Sequence, residues 1–230
     1  MNTRYALYFA PDRDTPLWER GCRWLGRDPE RDGPLPQPAV PGWDAAGLAT
    51  LTAAARAYGL HATLKPPFLL RAGVETDVLH TRLASFCRTR GGFDLPALSV
   101  ARLSRFLALR PAAASAALQA LADACVVEFD DLRATLSEEE ASRRRAAGLD
   151  ARQEALLQQY GYPYVLDQFR FHLTLTDPVD ATSADRLIAW LTDYFAPALC
   201  QPIHVSGVCL FVQREPGADF RLARRFAFAC

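Results

Sequence analysis

One seven-residue pattern occurs twice in this chain of 230 residues and limits what it can fold into. His61-Ala62-Thr63-Leu64-Lys65-Pro66-Pro67 and His172-Leu173-Thr174-Leu175-Thr176-Asp177-Pro178 both read H-x-T-L-x-x-P, 111 positions apart. That spacing exceeds the roughly 20–50 residues of a solenoid unit. Each copy is followed by a helical pattern and then by a strand pair. The expectation is a duplicated strand-helix-strand arrangement spanning residues 1–230 as one bilobal domain. Its lobes are built around His61 and His172, and an approximate two-fold axis brings both motifs into one cleft.

Local signals place the elements. Arg4 to Ala10 is aromatic and apolar and stops at Pro11-Asp12, a strand ending in a turn. Trp18 to Leu25 suits a short helix, and the five prolines between Arg27 and Gly42 make that stretch a loop. Asp44 is placed to cap a helix from Ala45 to Tyr58 that Gly59 ends, and a strand from Leu60 to Leu70 follows. Further helices are expected over Thr76–Arg88, Ala112–Asp131, Glu138–Tyr160 and Ser183–Phe195. Strands are expected over Phe93–Leu109 with a turn near Ser104, over Phe169–Thr176, and as a closing pair, Ile203–Val212 and Phe220–Ala229. The charged segment 137–160 lies between the two copies, and its Arg143-Arg144-Arg145 run reads as a solvated face.

Lys and Arg number 26, as do Asp and Glu, so the formal net charge is zero. No single-sign field is available to gather long nucleic acid or an anionic membrane. The N-terminus has no basic region followed by a long apolar run, and no stretch approaches the ~20 apolar residues of a membrane span. A cytoplasmic location follows as the expectation. The six cysteines, at 22, 87, 125, 200, 209 and 230, form no C-x-x-C pair and read as reduced thiols packed as small apolar groups.

Strand alternation puts His61, Thr63 and Lys65 on one face, and Arg170, His172 and Thr174 on one face of the second strand. Imidazole, hydroxyl and cation in a row are out of place in a packed interior and fit the wall of a cleft. The set suits a phosphodiester, above all a cyclic one. A neutral histidine takes a proton from water, a protonated one gives a proton to the departing alkoxide, Thr63 and Thr174 hold non-bridging oxygens, and Lys65 and Arg170 offset developing charge. Loss of Lys65 or Arg170 is then expected to lower turnover. The scheme asks for no metal and no cofactor. His80 and His204 lack such a context and read as structural.

At these residues the chain resembles the two-histidine (2H) phosphoesterase superfamily, which is marked by paired H-x-[ST] motifs, and within it the bacterial branch associated with phosphonate-utilisation operons. The likeness extends to Arg4–Pro11, Tyr58–Phe68, Phe106–Leu109 and Gly161–Thr176. It implies an α+β fold with two antiparallel sheets around a central cleft and helices outside. It further implies His61 and His172 as the acid/base pair and Thr63 and Thr174 as phosphate ligands; Lys65 and Arg170 rest on alternation alone. The implied substrate is a small cyclic ribose phosphate or nucleotide, such as 5-phosphoribosyl 1,2-cyclic phosphate. An enzyme of RNA ends or 2′,5′ linkages, and a non-catalytic binder of a phosphorylated metabolite, stand as alternatives. Which histidine is the acid, the oligomeric state, and whether the charged helix docks a partner are left open by the sequence.

Overall fold

A computed structural model describes residues 3–146 and 148–229. Arg4–Phe9 forms β1, whose residues beyond Arg4 are all buried, as a central strand covered on both faces requires. Helix α1 spans Pro16–Leu25, two residues earlier than expected. Thr15 accepts from the Trp18 amide, Pro16 sits in the first turn, and Gly26 ends the helix in the left-handed region. The proline-rich loop folds one small hairpin, β2 (Arg27–Asp28) with β3 (Gly33–Pro34).

The expected helix from 45 to 58 is two, α2 (Ala45–Leu51) and α3 (Ala53–Tyr58). The break falls at Thr52, whose hydroxyl donates back to the Leu48 carbonyl at 3.0 Å, while the Asp177 carboxylate takes the freed amides of Ala54 and Ala55. Strand β4 (Ala62–Leu69) carries the first motif, and α4 (Thr76–Arg88) follows as its periodicity predicts. Then come β5 (Phe93–Asp94), β6 (Leu98–Leu103) and β7 (Phe106–Pro111), with Ser104 at positive φ in the β6–β7 turn.

Helix α5 covers Ala116–Val127, shorter than expected because Ser115 caps it and Pro111 keeps the preceding chain extended. The charged segment is also two helices, α6 (Glu138–Arg145) and α7 (Ala151–Tyr160). Gly148 at φ 76° turns the chain between them, and Asp150 with Gln153 makes a reciprocal capping box that starts α7 afresh. Strand β8 is Leu173–Thr174 alone. Helix α8 (Ala181–Leu199) and strands β9 (His204–Val205), β10 (Gly207–Gln213) and β11 (Arg221–Ala227) complete the order.

Two antiparallel sheets carry the fold: β11-β10-β1-β4, which holds the His61 motif, and β6-β7-β8, which holds the His172 motif. The strand pair that follows each motif joins the other motif's sheet. Hairpin β6–β7 pairs with β8, and hairpin β10–β11 pairs with β1 beside β4. The two copies are therefore interleaved, and each sheet draws strands from both halves of the chain. Helix α4 packs on β10 and β11, α5 on β4, and α8 on β6, β7 and α1. One continuous apolar core runs through both sheets, from Leu7, Leu64 and Phe211 to Leu107, Leu173 and Leu191. A smaller cluster of Val126, Leu156 and Val165 seats α7 against the end of α5.

The thiols of Cys22, Cys87, Cys125 and Cys209 are buried free thiols, and burial pushes Cys87 up to about 11 and Cys209 up to about 12. Cys200 is exposed, and Cys230 lies outside the described residues. Among the described residues no helix is long and apolar enough to cross a membrane.

Candidate active site

The two motif histidines are anchored in the same way. His61 Nδ1 lies 2.9 Å from the carbonyl oxygen of Gly59, and His172 Nδ1 lies 2.6 Å from that of Arg170, each two residues earlier. A carbonyl only accepts, so Nδ1 carries the proton in both rings and Nε2 is the nitrogen left for chemistry. Gly59 makes the first anchor by adopting φ 75°, and a Cβ there would run into Pro29. On the neutral ring the Thr63 hydroxyl donates to His61 Nε2 at 3.4 Å.

His61 is enclosed by aromatic rings. Tyr8 stacks on it with centroids 4.0 Å apart, Tyr58 lies at 5.7 Å and Phe211 at 6.0 Å. Burial, outweighing the Gly59 bond and reinforced by the nearby His172, lowers the His61 pKa to about 4. Burial also lowers that of His172, with a further contribution from the Arg110 guanidinium. Burial holds the Tyr8 phenol well above its ordinary value, so it is a neutral hydroxyl, within hydrogen-bonding reach of Thr63.

The segment that carries His172 and Thr174 is tied down just beyond Thr174. Trp24 Nε1 donates to the Leu175 carbonyl at 2.7 Å, and the Thr176 hydroxyl accepts from the Leu107 amide at 3.0 Å, replacing a regular ladder bond. Phe106 lies 5.7 Å from the His172 ring. A cleft of about 530 Å³, a size usual for a small-molecule site, is lined by His61, Thr63, Thr174, Tyr8 and Phe106 among others, and the His172 ring stands outside that lining, beside Phe106.

Two expected members of the site stand elsewhere. Tyr8 pairs with Thr63 but Leu7 pairs with Lys65, leaving Leu64 as an extra residue in β4. This bulge reverses the alternation: Thr63 follows Tyr8 into the cleft and Lys65 follows Leu7 to the opposite face. Lys65 is 1% exposed there, donating to the Val126 carbonyl at 3.0 Å with Asp130 at 3.5 Å. Burial lowers its pKa to about 8. Arg170 precedes the two-residue strand β8, so no alternation governs it, and its side chain is exposed outside the cleft lining. What Arg170 contributes is its carbonyl.

The arginine run is divided. Arg145 is held by Glu154 at 2.9 Å, whereas Arg143 and Arg144 line the cleft with Arg4, Tyr58 and Tyr162. Helix α6 therefore covers the site, where its composition reads only as a solvated surface. Elsewhere, Tyr5 bonds Thr76 at 2.8 Å, Arg102 donates to the Ser104 carbonyl, and the exposed Tyr164 packs edge-on to Tyr162. His204 pairs with Asp94, and His80 packs against Phe226.

A family model described as "Protein of unknown function (DUF1045)" matches residues 63–221. Two curated proteins, each named "Ribose 1,5-bisphosphate phosphokinase PhnN", are similar to nearly the whole chain. That of Janthinobacterium sp. (strain Marseille) is 41% identical over 231 residues, covering 99% of this chain and 51% of its own length. That of Laribacter hongkongensis (strain HLHK9) is 40% identical over 221 residues, covering 96% and 51%. The chain spans about half the length of these curated relatives. Among solved structures, E. coli LigT complexed with 3′-AMP has 15% identity, full coverage of both chains and a TM-score of 0.44. A crystal structure described as a phosphoesterase has 17% identity, full coverage of both and a TM-score of 0.45.

Proposed function

The chain belongs to the DUF1045 family, and we propose that it is a two-histidine phosphoesterase that opens a cyclic phosphodiester of a small ribose phosphate or nucleotide without a metal. The observation that carries this reading is the matched pair of anchors. Both imidazoles are fixed through Nδ1 to a carbonyl two residues back, which leaves an Nε2 from each motif for proton transfer.

In the proposed reaction His61, kept neutral by burial, takes a proton from water through Nε2 as the water oxygen bonds to phosphorus. The bond from phosphorus to one ribose oxygen breaks. That oxygen takes the proton from Nε2 of His172, which the anionic substrate has charged. The product is a phosphomonoester beside a free hydroxyl. Thr63 and Thr174 donate to the non-bridging oxygens. Each acid or base contributes ~10²–10⁴-fold.

The kinase named in the curated relatives belongs, on this reading, to the half of those proteins outside the match. A phosphate-binding loop for ATP needs Gly-Lys-Ser/Thr, and the one lysine of this chain, Lys65, follows Leu64 in a strand. The compound in their name, ribose 1,5-bisphosphate, is itself a phosphorylated ribose, which supports a ribose phosphate, such as 5-phosphoribosyl 1,2-cyclic phosphate in phosphonate metabolism, as the compound handled here.

The test is hydrolysis of a panel of cyclic phosphates in EDTA by the wild type, His61→Ala and His172→Ala. Turnover that survives chelation and falls at least ~100-fold in each variant is expected. Binding of the panel without turnover by any folded wild-type preparation would replace the enzyme with a binding module.

A further inference from the structure

We infer that Arg143 and Arg144 of helix α6, with Arg4 opposite, form a second anion subsite that takes a phosphomonoester carried by the substrate in addition to its cyclic phosphate. The inference rests on the phosphoesterase reading and adds to it what else the substrate must carry.

The three guanidinium groups line the same cleft as His61, Thr63 and Thr174. They are not neutralised there in the ordinary way. Arg144 has no carboxylate within ion-pair distance among the described residues, and its Nε is buried with no hydrogen-bond partner among them. Its guanidinium instead lies over the Tyr162 ring, 4.9 Å from the centroid. A buried donor left without an acceptor is costly, and a ligand oxygen removes that cost. Arg143 has Glu140 at 3.8 Å, both on the surface of one helix turn, a pair that contributes little and yields easily. Arg4 gives Nε to Gln213 at 2.6 Å, which fixes the plane of the group and leaves its other nitrogens for a ligand.

Two carboxylates also face the cleft. Asp177 is occupied by the amides of Ala54 and Ala55, and Glu140 is the partner of Arg143. With both histidines neutral, three cations face two engaged anions, so the cleft carries a positive excess within a chain of zero net charge. Guanidinium groups suit a phosphomonoester because its terminal oxygens accept two parallel N–H bonds.

The subsite is continuous with the chemistry. Tyr8 stacks on His61, Tyr162 is close enough to Tyr8 to raise its pKa, and Arg144 covers Tyr162. A ribose bridging that line presents its ring phosphate to the histidines and its exocyclic phosphate to α6.

The experiment compares adenosine 2′,3′-cyclic phosphate with and without a 5′-phosphate, as the ratio of kcat/KM for the two. The wild type is expected to favour the 5′-phosphorylated compound at least ~10-fold, as one charge-assisted bidentate contact provides. In Arg143→Met and Arg144→Met, which keep a long unbranched side chain and remove the charge, the ratio falls toward one. In Arg145→Met, on the same helix but paired with Glu154, the ratio stays. A wild-type ratio near one, a ratio untouched by the Arg143 and Arg144 changes, or equal loss in Arg145→Met would overturn the subsite. If neither compound is hydrolysed, the phosphoesterase reading is decided separately by the wider panel of cyclic phosphates. The same ratio is then read from equilibrium binding of the two intact compounds to the same four proteins, with the same outcomes deciding.

Discussion

Tyr8 lies flat on His61, with ring centroids 4.0 Å apart and planes inclined by 26°. The contact seals one side of the imidazole from water, and this exclusion drives its pKa down. Tyr8→Leu removes the ring and admits solvent. The His61 pKa is then expected to rise from about 4 toward the ordinary histidine value. The acid limb of the pH–rate profile moves up with it, and kcat/KM at neutral pH falls ~10-fold from lost orientation. NMR titration of the His61 ring is the direct check; an unmoved pKa would show that other groups exclude the water.

The same burial makes stability depend on pH. The unfolded imidazole titrates near 6.5, and the folded one, at about 4, resists protonation. Above pH ~6.5 both states are neutral and His61 adds no slope. Between ~6.5 and ~4 the unfolded state binds a proton that the folded state does not, so stability falls as pH falls. Denaturant unfolding of the wild type across this window is expected to show that loss, and His61→Gln to show less of it.

Lys65 faces away from the cleft, and its replacement tests that placement. Lys65→Met keeps a long apolar stem against Phe68 and removes a buried charge. It is expected to leave kcat/KM within ~2-fold while changing stability by ~1–3 kcal/mol through the Val126 carbonyl left without a donor. Steady-state kinetics beside a melting curve separates the two effects.

Arg110 adds to the depression of the His172 pKa by its charge. Arg110→Met is therefore expected to raise the His172 pKa and to move one limb of the pH–rate profile upward. The assigned limb reports the coupled pair, so ring titration of both histidines accompanies the kinetics.

Asp177 closes the N-terminus of α3, the helix that leads through Gly59 to His61. Asp177→Ala is expected to cost ~1–2 kcal/mol of stability, a fall in Tm of ~2–8 °C for a chain of this size. Because α3 positions the Gly59 carbonyl, kcat falls as well. Calorimetry and kinetics on one preparation check both.

The motif pair was readable because everything that defines it is local: a histidine, a threonine two residues on, and a repeat of that spacing. What was not readable depends on partners far away in sequence. The bulge at Leu64 that turns Lys65 inward arises from the pairing of β4 with β1, and no residue of β4 announces it. Strand β8 begins only at Leu173, a few residues after the helical turn Leu166–Gln168, so the alternation drawn through Arg170 had no strand to act on. Arg143 and Arg144 share their helix with three glutamates in its first turn, which is the composition of a solvated surface. Only the path of the chain across the cleft separates these two arginines from Arg145. The breaks at Thr52 and Gly148 were masked by good helix formers on either side, although Asp150 and Gln153 spell a capping box.

The exchange of hairpins between the two sheets has a consequence for synthesis. Strand β1 lies between β4 and β10, and the sheet that presents His61 is not closed until β11 has been made. During synthesis β1 and β4 therefore stand with one long edge unpaired until β10, which follows the β6–β7 hairpin and β8 in the chain, has been made. Such an edge must be shielded or kept dilute until the last strands arrive. The surroundings of the first motif are thus finished only by the hairpin that follows the second, so neither half of this fold builds its own sheet without the other.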